Sequence, residues 1–178
     1  MATVHEETPE DFDAVRHVNL VAFGGVTEAW LVDRLREDGL ALVSLAAEAG
    51  GRVVGHILFS RVAIETPDGP IPAAALAPMA VLPGFQRQGI GSELIRAGLE
   101  ACGKLGEKIV VVVGHPDYYP RFGFSAVLAR RLHSPYCGDA FMALELVSGS
   151  AGRGVRNPAV PGSFPRVRVR ARLKPRAG

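Results

Sequence analysis

Three apolar runs rich in β-branched residues follow one another in the middle of the chain and constrain its fold more than any other feature. They are Ala41–Ala49, Arg52–Ile64 and Ala74–Leu82. The first two are separated by Gly50-Gly51 and the last two by Pro67-Asp68-Gly69-Pro70, and both separators are strong turn signals. Short turns join strands that run in opposite directions, so we predict an antiparallel three-strand meander.

Helical patterns precede and follow this meander along the chain. Residues 2–5 are β-prone, Thr8-Pro9-Glu10-Asp11 marks a helix start, and Gly24-Gly25 marks its end. A second helix is predicted over Thr27–Asp38 and a third over Gly89–Gly103. The third helix repeats small or apolar residues along one face, namely Ile90, Leu94, Ile95, Gly98, Leu99 and Cys102.

The remaining strands follow the third helix. Ile109–Val113 is an unbroken aliphatic run, which is typical of a strand covered on both faces. We predict further strands over Phe124–Leu128 and Phe141–Val147. This order of elements predicts an α+β domain over residues 1–147, with a mixed, mostly antiparallel sheet and helices on both faces.

The net charge of +2 is the sum of the charges of two unlike segments of the 178-residue chain. Residues 1–147 carry all 18 acidic residues and 12 Lys or Arg, whereas residues 148–178 carry eight Lys or Arg and no acid. This Gly-, Pro- and Arg-rich tail is predicted to be weakly ordered, or to form an edge strand over Arg166–Arg172 that could pair with a second subunit in a homodimer. Its Phe164 is the tail's one aromatic residue, so the composition argues against nucleic acid as a partner and leaves only the tail to contact it.

Other classes of protein are excluded by simple patterns. No apolar run approaches the roughly 18–20 residues of a membrane span, and the first residues lack the pattern of a secretory signal. Cys102 and Cys137 have no metal-ligand spacing, so we expect no metal site and read them as thiols in a reducing compartment, the cytoplasm.

A strand, a Pro-Gly turn and a helix start follow one another over Val81–Ser92. The first N–H groups of a helix have no intrahelical acceptor, and the helix dipole is positive there. Gly89 and Gly91 carry no Cβ, so an anion such as a pyrophosphate can approach these amides closely. The alternative is a plain helix start that uses glycine for its turn. The segment matches neither the GxxxxGK[ST] phosphate loop nor the GxGxxG dinucleotide motif.

Gln86-Arg87-Gln88-Gly89-Ile90-Gly91 resembles the Q/R-x-x-G-x-G/A signature of the GCN5-related N-acetyltransferases (GNATs), which bind acetyl-CoA. Met79–Pro83 is similar to the fourth strand of that family, and Tyr119–Phe124 to its Y-x-x-x-G-F segment. Through His115–Phe124 the resemblance is closest to the YhbS-like predicted acetyltransferases, and it covers about residues 2–147. It implies a GNAT-like sheet in which the fourth and fifth strands splay apart around the acetyl group.

The resemblance also implies which residues hold acetyl-CoA, the co-substrate. The pyrophosphate would be held by the backbone amides of Gln88, Gly89, Ile90, Gly91 and Ser92, with Gln86 and Arg87 at the loop entrance. The pantetheine arm would bind to the backbone of Met79, Ala80 and Val81, much as an added strand does.

Chemistry in this family is direct attack of a neutral amine on the thioester, which needs a proton acceptor and an acid for the CoA thiolate. Tyr119 lies four residues before Gly123, where the family's tyrosine protonates the departing sulfur; a packed aromatic is the alternative reading. His115 is the candidate to take the amine proton, directly or through water, and a structural role is its alternative. His56 and Glu65 on the third strand are weaker candidates, and a satisfied or solvated polar group is the favoured reading of both.

We therefore expect an N-acetyltransferase that moves an acetyl group from acetyl-CoA to a primary amine of a small molecule or protein. The alternative, from a different class, is a non-enzymatic module that senses CoA or binds nucleic acid through the basic tail. Turnover with a panel of amines separates the two.

Overall fold

The computed structural model describes residues 2–66, 69–132, 138–147 and 169–170. The helices within them are α1 (Phe12–Phe23), α2 (Thr27–Glu37), α3 (Ile90–Lys104) and α4 (Ala126–Ala129). The strands are β1 (Thr3–Glu6), β2 (Ala41–Glu48), β3 (Val53–Thr66), β4 (Gly69–Val81), β5 (Ile109–Val113), β6 (Phe141–Glu145) and β7 (Val169–Arg170). Short 3₁₀ turns lie at Pro9–Asp11, Pro83–Phe85 and Tyr119–Phe122.

The strands are hydrogen-bonded in the order β1-β2-β3-β4-β5-β6, and β7 pairs with β3. The sheet is mostly antiparallel, with β4 and β5 as a parallel pair. The predicted fold class is confirmed. Over the described ranges, no helix combines the length and apolar composition needed to cross a bilayer.

The predicted meander is present as β2, β3 and β4, which are consecutive neighbours in the sheet. Gly50 and Gly51 join β2 to β3 with φ angles of 61° and 74°. Both angles are left-handed, as a two-residue type I′ turn requires, and glycine adopts them without steric cost. The Ala49 N–H donates to the Arg52 carbonyl at 2.9 Å and closes the turn. Pro67 and Asp68, in the second predicted turn, lie outside the described residues.

The chain divides into two compact units. The first consists of Met1–Ser60 and Leu76–Lys104, and the second of Arg61–Ala75 and Leu105–Gly178. The predicted boundary at residue 147 stays a prediction. Of the tail beyond it, only β7 is described, and its two residues pair antiparallel with Ala63 and Ile64 of β3.

In the first unit, helices cover both faces of the sheet. Helices α1 and α2 share a core with β2 and β3, formed by Val15, Val32, Leu35, Ala46 and Leu58. Successive strand residues face opposite sides, so Phe59 points away from this core. It meets α3, where a Cβ on Gly98 would lie 2.1 Å from the Phe59 ring. The predicted apolar face of α3 is buried at Ile90, Leu94, Ile95, Gly98 and Cys102.

The second unit has its own core between strands and α4. It contains Val62, Ile64, Ala73, Ile109, Val111, Ala129, Leu132, Phe141 and Ala143. Strands β5 and β6 pair antiparallel from Ile109 opposite Glu145 to Val113 opposite Phe141. The predicted aliphatic strand and the last predicted strand are therefore confirmed.

The predicted strand over Phe124–Leu128 is wrong. Ser125 alone makes an isolated bridge, to Ala143, and the chain then turns into α4. The Ser125 Oγ accepts the Leu128 N–H at 3.1 Å, which is a helix N-cap. This cap and the alanines of α4 favour a helical turn, and Val127, the one β-branched residue of the segment, is 65% exposed.

A chain of buried polar groups connects the elements of the first unit. Arg36 on α2 donates to both carboxylate oxygens of Glu7, which follows β1 and whose side chain is only 3% exposed. The Ser44 hydroxyl on β2 donates to Glu7 Oε2 at 2.6 Å, and the Ser44 Oγ lies 2.9 Å from His56 Nε2 on β3. On the other side of the imidazole, Asn19 Nδ2 of α1 lies 3.1 Å from His56 Nδ1.

These contacts fix the protonation of His56. Its Nε2 carries the proton, because the one Ser44 hydroxyl proton goes to Glu7 and Ser44 Oγ must accept from the ring. Its Nδ1 accepts from Asn19, whose amide also donates to the Val15 carbonyl. Burial and then the positive charge of Arg36 lower the pKa of His56 to about 3. His56 is therefore a neutral structural group, and its candidacy as a proton acceptor is wrong.

We predict that His56 makes the folded protein less stable as the pH falls below about 6.5. The unfolded chain binds a proton at this histidine below about 6.5, whereas the folded chain binds one only near 3. The free energy of unfolding should therefore fall by up to about 1.4 kcal/mol per pH unit.

Urea unfolding between pH 5 and 7 measures this slope above the range where most carboxylates titrate. The slope should flatten in His56→Gln, whatever that variant's absolute stability, and should persist in His17→Gln, which removes an exposed imidazole. An equal slope in the His56→Gln variant and the wild type would contradict the prediction.

Candidate active site

The end of β4 leads into a loop that is held by its own side chains. The Leu82 N–H donates to the Val54 carbonyl of β3 at 2.9 Å, which anchors the loop to the sheet. Gln86 Nε2 donates back to the Val81 carbonyl at 2.9 Å, and Gln88 Nε2 to the Gly84 carbonyl at 3.1 Å. The two glutamines thus brace the loop, a role that the sequence reasoning missed because residue type alone does not show which carbonyl an amide reaches.

The backbone of the loop adopts left-handed conformations at two places. Arg87 has φ 61° and is the one non-glycine residue with positive φ in the described part of the chain, and Gly89 has φ 90°. A non-glycine residue there is strained, and such strain is concentrated at functional sites. Alternation of left- and right-handed residues turns successive N–H groups toward one side and forms a concavity suited to an anion.

Helix α3 begins directly after this turn. The N–H groups of Ser92 and Glu93 both donate to the Gly89 carbonyl, at 2.9 and 3.0 Å. The N–H groups from Gln88 to Gly91 come before Ser92, the first residue whose N–H has an intrahelical acceptor, and so have no intrahelical partner by geometry. A Cβ built on Gly89 meets no atom within 4 Å, and residues Gln86–Gly89 are exposed. Backbone donors, a positive helix end and open space fit a pyrophosphate.

The predicted pantetheine segment is the last part of β4. Ala80 is buried, and Met79 and Val81 are half-buried. The Val81 carbonyl already accepts the Gln86 amide, so one of its two lone pairs is used inside the loop. The end of β4 and the loop belong to the same segment of the first unit, Leu76–Lys104. That segment includes Met79, Ala80 and Val81.

Tyr119 belongs to the second unit and is buried, at 7% exposure. Its ring packs edge-on against Tyr118 and Phe124, with centroid distances of 5.3 and 5.7 Å. Gly114, directly after β5, lies against the ring, since a Cβ there would come within 2.2 Å of Tyr119 Cε2. Burial, together with Tyr118, raises the pKa of Tyr119 to about 12. The hydroxyl is therefore a proton donor, not a base, throughout the physiological range.

His115 precedes Tyr119 in the same unit and is exposed. Its carbonyl accepts the Tyr118 N–H at 3.0 Å and the Tyr119 N–H at 3.4 Å. The backbone of His115 thus positions the turn that carries the tyrosine, while its imidazole is accessible to solvent. Glu65 lies at the end of β3, and its side chain is outside the described part of the structure.

The titratable residues do not assemble into a metal centre in the described part of the chain. No group of three or more His, Cys, Asp or Glu side chains there is placed to hold an ion. Cys102 is buried on α3, and Cys137 lies outside the described residues.

A family model described as "Acetyltransferase (GNAT) domain" matches residues 3–127. The chain belongs to the GNAT acetyltransferase family. Escherichia coli K12 YjhQ, described as an uncharacterised N-acetyltransferase, is 43% identical over 125 residues, which are 68% of each protein. YhbS of the same strain, with the same description, is 34% identical over 122 residues, which are 68% of this chain and 72% of YhbS.

Solved GNAT structures share the fold. The crystal structure of E. coli YhbS in complex with CoA matches with a TM-score of 0.80 at 28% identity, covering 95% of this chain and 89% of YhbS. A GNAT family acetyltransferase from Brucella melitensis in complex with acetyl-CoA matches with a TM-score of 0.70 at 34% identity, covering 83% and 89%. The GNAT resemblance drawn from the loop and the Tyr119–Phe124 segment is confirmed.

We predict that Gly114→Ala destabilises the second unit. The added methyl would overlap the Tyr119 ring, and overpacking of this kind costs about 1–3 kcal/mol. Gly103→Ala is the matched control, because its Cβ meets no atom within 4 Å and alanine favours a helix by about 0.5–1 kcal/mol over glycine. Urea unfolding should show a lower free energy of unfolding than the wild type for Gly114→Ala and a higher one for Gly103→Ala. Equal stabilities of Gly114→Ala and the wild type would mean that the ring does not lie against Gly114.

Proposed function

We propose that this GNAT protein is an acetyl-CoA-dependent N-acetyltransferase that acetylates a primary amine of a small molecule or a protein. The observation that carries the proposal is the loop before α3, where backbone donors face open space at Gly89. Relatives that share the fold were crystallised with CoA and with acetyl-CoA, which supports the same ligand here. Cys102 and Cys137 have no metal-ligand spacing, and on the reading of both as thiols in a reducing compartment we place the reaction in the cytoplasm.

The loop and β4 would bind the acetyl donor largely through backbone atoms. The amides of Gln88, Gly89, Ile90 and Gly91 would contact the pyrophosphate, whereas the Ser92 N–H, also expected there from the resemblance, already donates to the Gly89 carbonyl. Gln86 and Arg87 stand at the loop entrance, where Gln86 also braces the turn. Met79, Ala80 and Val81 would contact the pantetheine arm as a neighbouring strand does.

Acetyl-CoA supplies a thioester, and attack by the amine forms a C–N bond while the C–S bond breaks. We assign Tyr119 as the donor toward the leaving sulfur, because its raised pKa keeps the hydroxyl protonated. We assign His115, directly or through water, as the acceptor of the amine proton, because its imidazole is exposed. Over the whole reaction, the amine loses one proton and the CoA sulfur gains one.

The direct test of the proposal is release of free CoA thiol from acetyl-CoA in the presence of a panel of primary amines. We expect turnover with at least one amine and none without an amine. Failure of the wild-type protein to bind acetyl-CoA and to turn over any amine would overturn the proposal and favour a non-enzymatic module.

We predict that Gly89→Ala weakens acetyl-CoA binding at least ten-fold. A methyl group there occupies the open space beside the amides, and φ 90° is strained for alanine by about 1–3 kcal/mol. Gly84→Ala is the control in the same loop, because its Cβ also meets nothing within 4 Å and its φ is not left-handed. Calorimetric Kd values should separate the two variants. Equal affinity of Gly89→Ala and wild type would rule out the pyrophosphate assignment.

We predict that Tyr119→Phe lowers kcat about 100-fold or more, because positioned acid catalysis contributes at least that much. Phenylalanine keeps the edge-on packing against Tyr118 and Phe124, so stability and the acetyl-CoA Kd should stay close to wild type. Tyr118→Phe is the control and should keep kcat within about two-fold.

The pH profile adds an independent readout. Because the pKa of Tyr119 is about 12, ionisation of this tyrosine should cause no loss of wild-type rate between pH 8 and 10. A Tyr119→Phe variant with unchanged kcat would show that the residue only packs.

A further inference from the structure

The arginines of the first unit differ in whether a carboxylate balances them. On α1 and α2, Arg16 pairs with Asp33, Arg34 with Glu37 and Asp38, and Arg36 with Glu7 and Asp33. Arg52 and Arg87 are exposed, and no carboxylate among the described residues lies within the 4.0 Å of an ion pair from either guanidinium. The positive charges of Arg52 and Arg87 are therefore available to an anionic ligand.

Both of these arginines adjoin the loop before α3. Arg87 is part of the loop backbone. Arg52 comes from the β2–β3 turn, yet its guanidinium carbon lies 5.8 Å from the centroid of the Phe85 ring within the loop. The hydrogen bond from Leu82 N–H to the Val54 carbonyl fixes the turn beside the loop. A second segment of the first unit thus brings a positive charge to the same place.

The contact with Phe85 holds the Arg52 guanidinium beside the loop. A guanidinium over an aromatic ring is attracted through its face, and its N–H groups stay free around its edge. That planar fork matches the oxygens of a phosphate group and binds them more strongly than neutral donors do.

CoA carries two kinds of phosphate, and the loop accounts for one of them. The pyrophosphate is assigned to the backbone amides, which leaves the 3′-phosphate on the ribose, a phosphomonoester with a charge of about −1.5 to −2 at neutral pH. Resting on the proposed function, we propose that Arg52 binds this 3′-phosphate and gives the enzyme its preference for CoA over 3′-dephospho-CoA. Arg87 is less suited to this separate role, because its strained backbone belongs to the loop itself.

The test compares the Kd values of CoA and 3′-dephospho-CoA for the full-length protein by calorimetry. The wild type should bind CoA about ten-fold more tightly, since a hydrogen-bonded charge pair is worth roughly that factor. In Arg52→Gln the affinity for CoA should fall about ten-fold while the affinity for 3′-dephospho-CoA changes less than two-fold. Arg52→Lys should recover part of the preference, because lysine keeps the charge but loses the fork.

Arg130→Gln is the control for loss of one positive charge, since Arg130 is exposed and pairs with Asp139 in the second unit. It should keep the wild-type preference. If Arg52→Gln weakens both ligands equally, or neither, the inference about Arg52 is overturned while the proposed function stands. If the wild type binds neither ligand, the proposed function itself is overturned.

Discussion

The ion pair between Glu7 and Arg36 is the interaction on which the arrangement of the first unit depends. A buried charge pair is costly unless its remaining donors and acceptors are satisfied. Here Ser44 donates to the carboxylate, and His56 and Asn19 continue the chain of hydrogen bonds to the Val15 carbonyl. Each of α1, α2, β2 and β3 supplies a member of the network. The donors and acceptors of the ion pair therefore all find partners only when these four elements are packed as they are here. The network therefore specifies one packing more than it adds stability.

The same strand connects this network to the candidate site. On β3, His56 and Leu58 face α1 and α2, whereas Gly55 and Phe59 face α3. The Val54 carbonyl on this strand holds the Leu82 N–H at the start of the loop. The loop is thus anchored to a strand that is packed on both faces, and its glutamines brace it further. Donors that are already in place need no reorganisation when an anion binds, which favours affinity.

Local patterns in the sequence were sufficient for much of the fold. Gly50-Gly51, the aliphatic Ile109–Val113 and the apolar face of α3 each act over a few residues, and all were predicted correctly. The strand over Phe124–Leu128 failed because one side-chain cap at Ser125 outweighed β-propensity. The buried network was not predictable, because Glu7, Ser44 and His56 are far apart in sequence and each looks like an ordinary polar residue of a strand or a turn. In the site, glycine spacing indicated the loop. Residue type does not show that Gln88 donates to the Gly84 carbonyl, and the position of Arg52 beside Phe85 depends on a tertiary contact.

Burial of Tyr119 has two opposing effects on its proposed role. It keeps the phenol protonated, so a donor is always present, yet a pKa of about 12 makes Tyr119 a weaker acid than a free phenol. An ordinary thiol has a pKa of ~8.5, so full transfer of the tyrosine proton to a thiolate is uphill by several kcal/mol. A hydrogen bond to the sulfur carries no such cost and still stabilises the charge that develops as the C–S bond breaks. In its proposed role, Tyr119 would therefore keep its proton and donate a hydrogen bond to the sulfur, while the proton released by the amine would reach the thiolate through solvent.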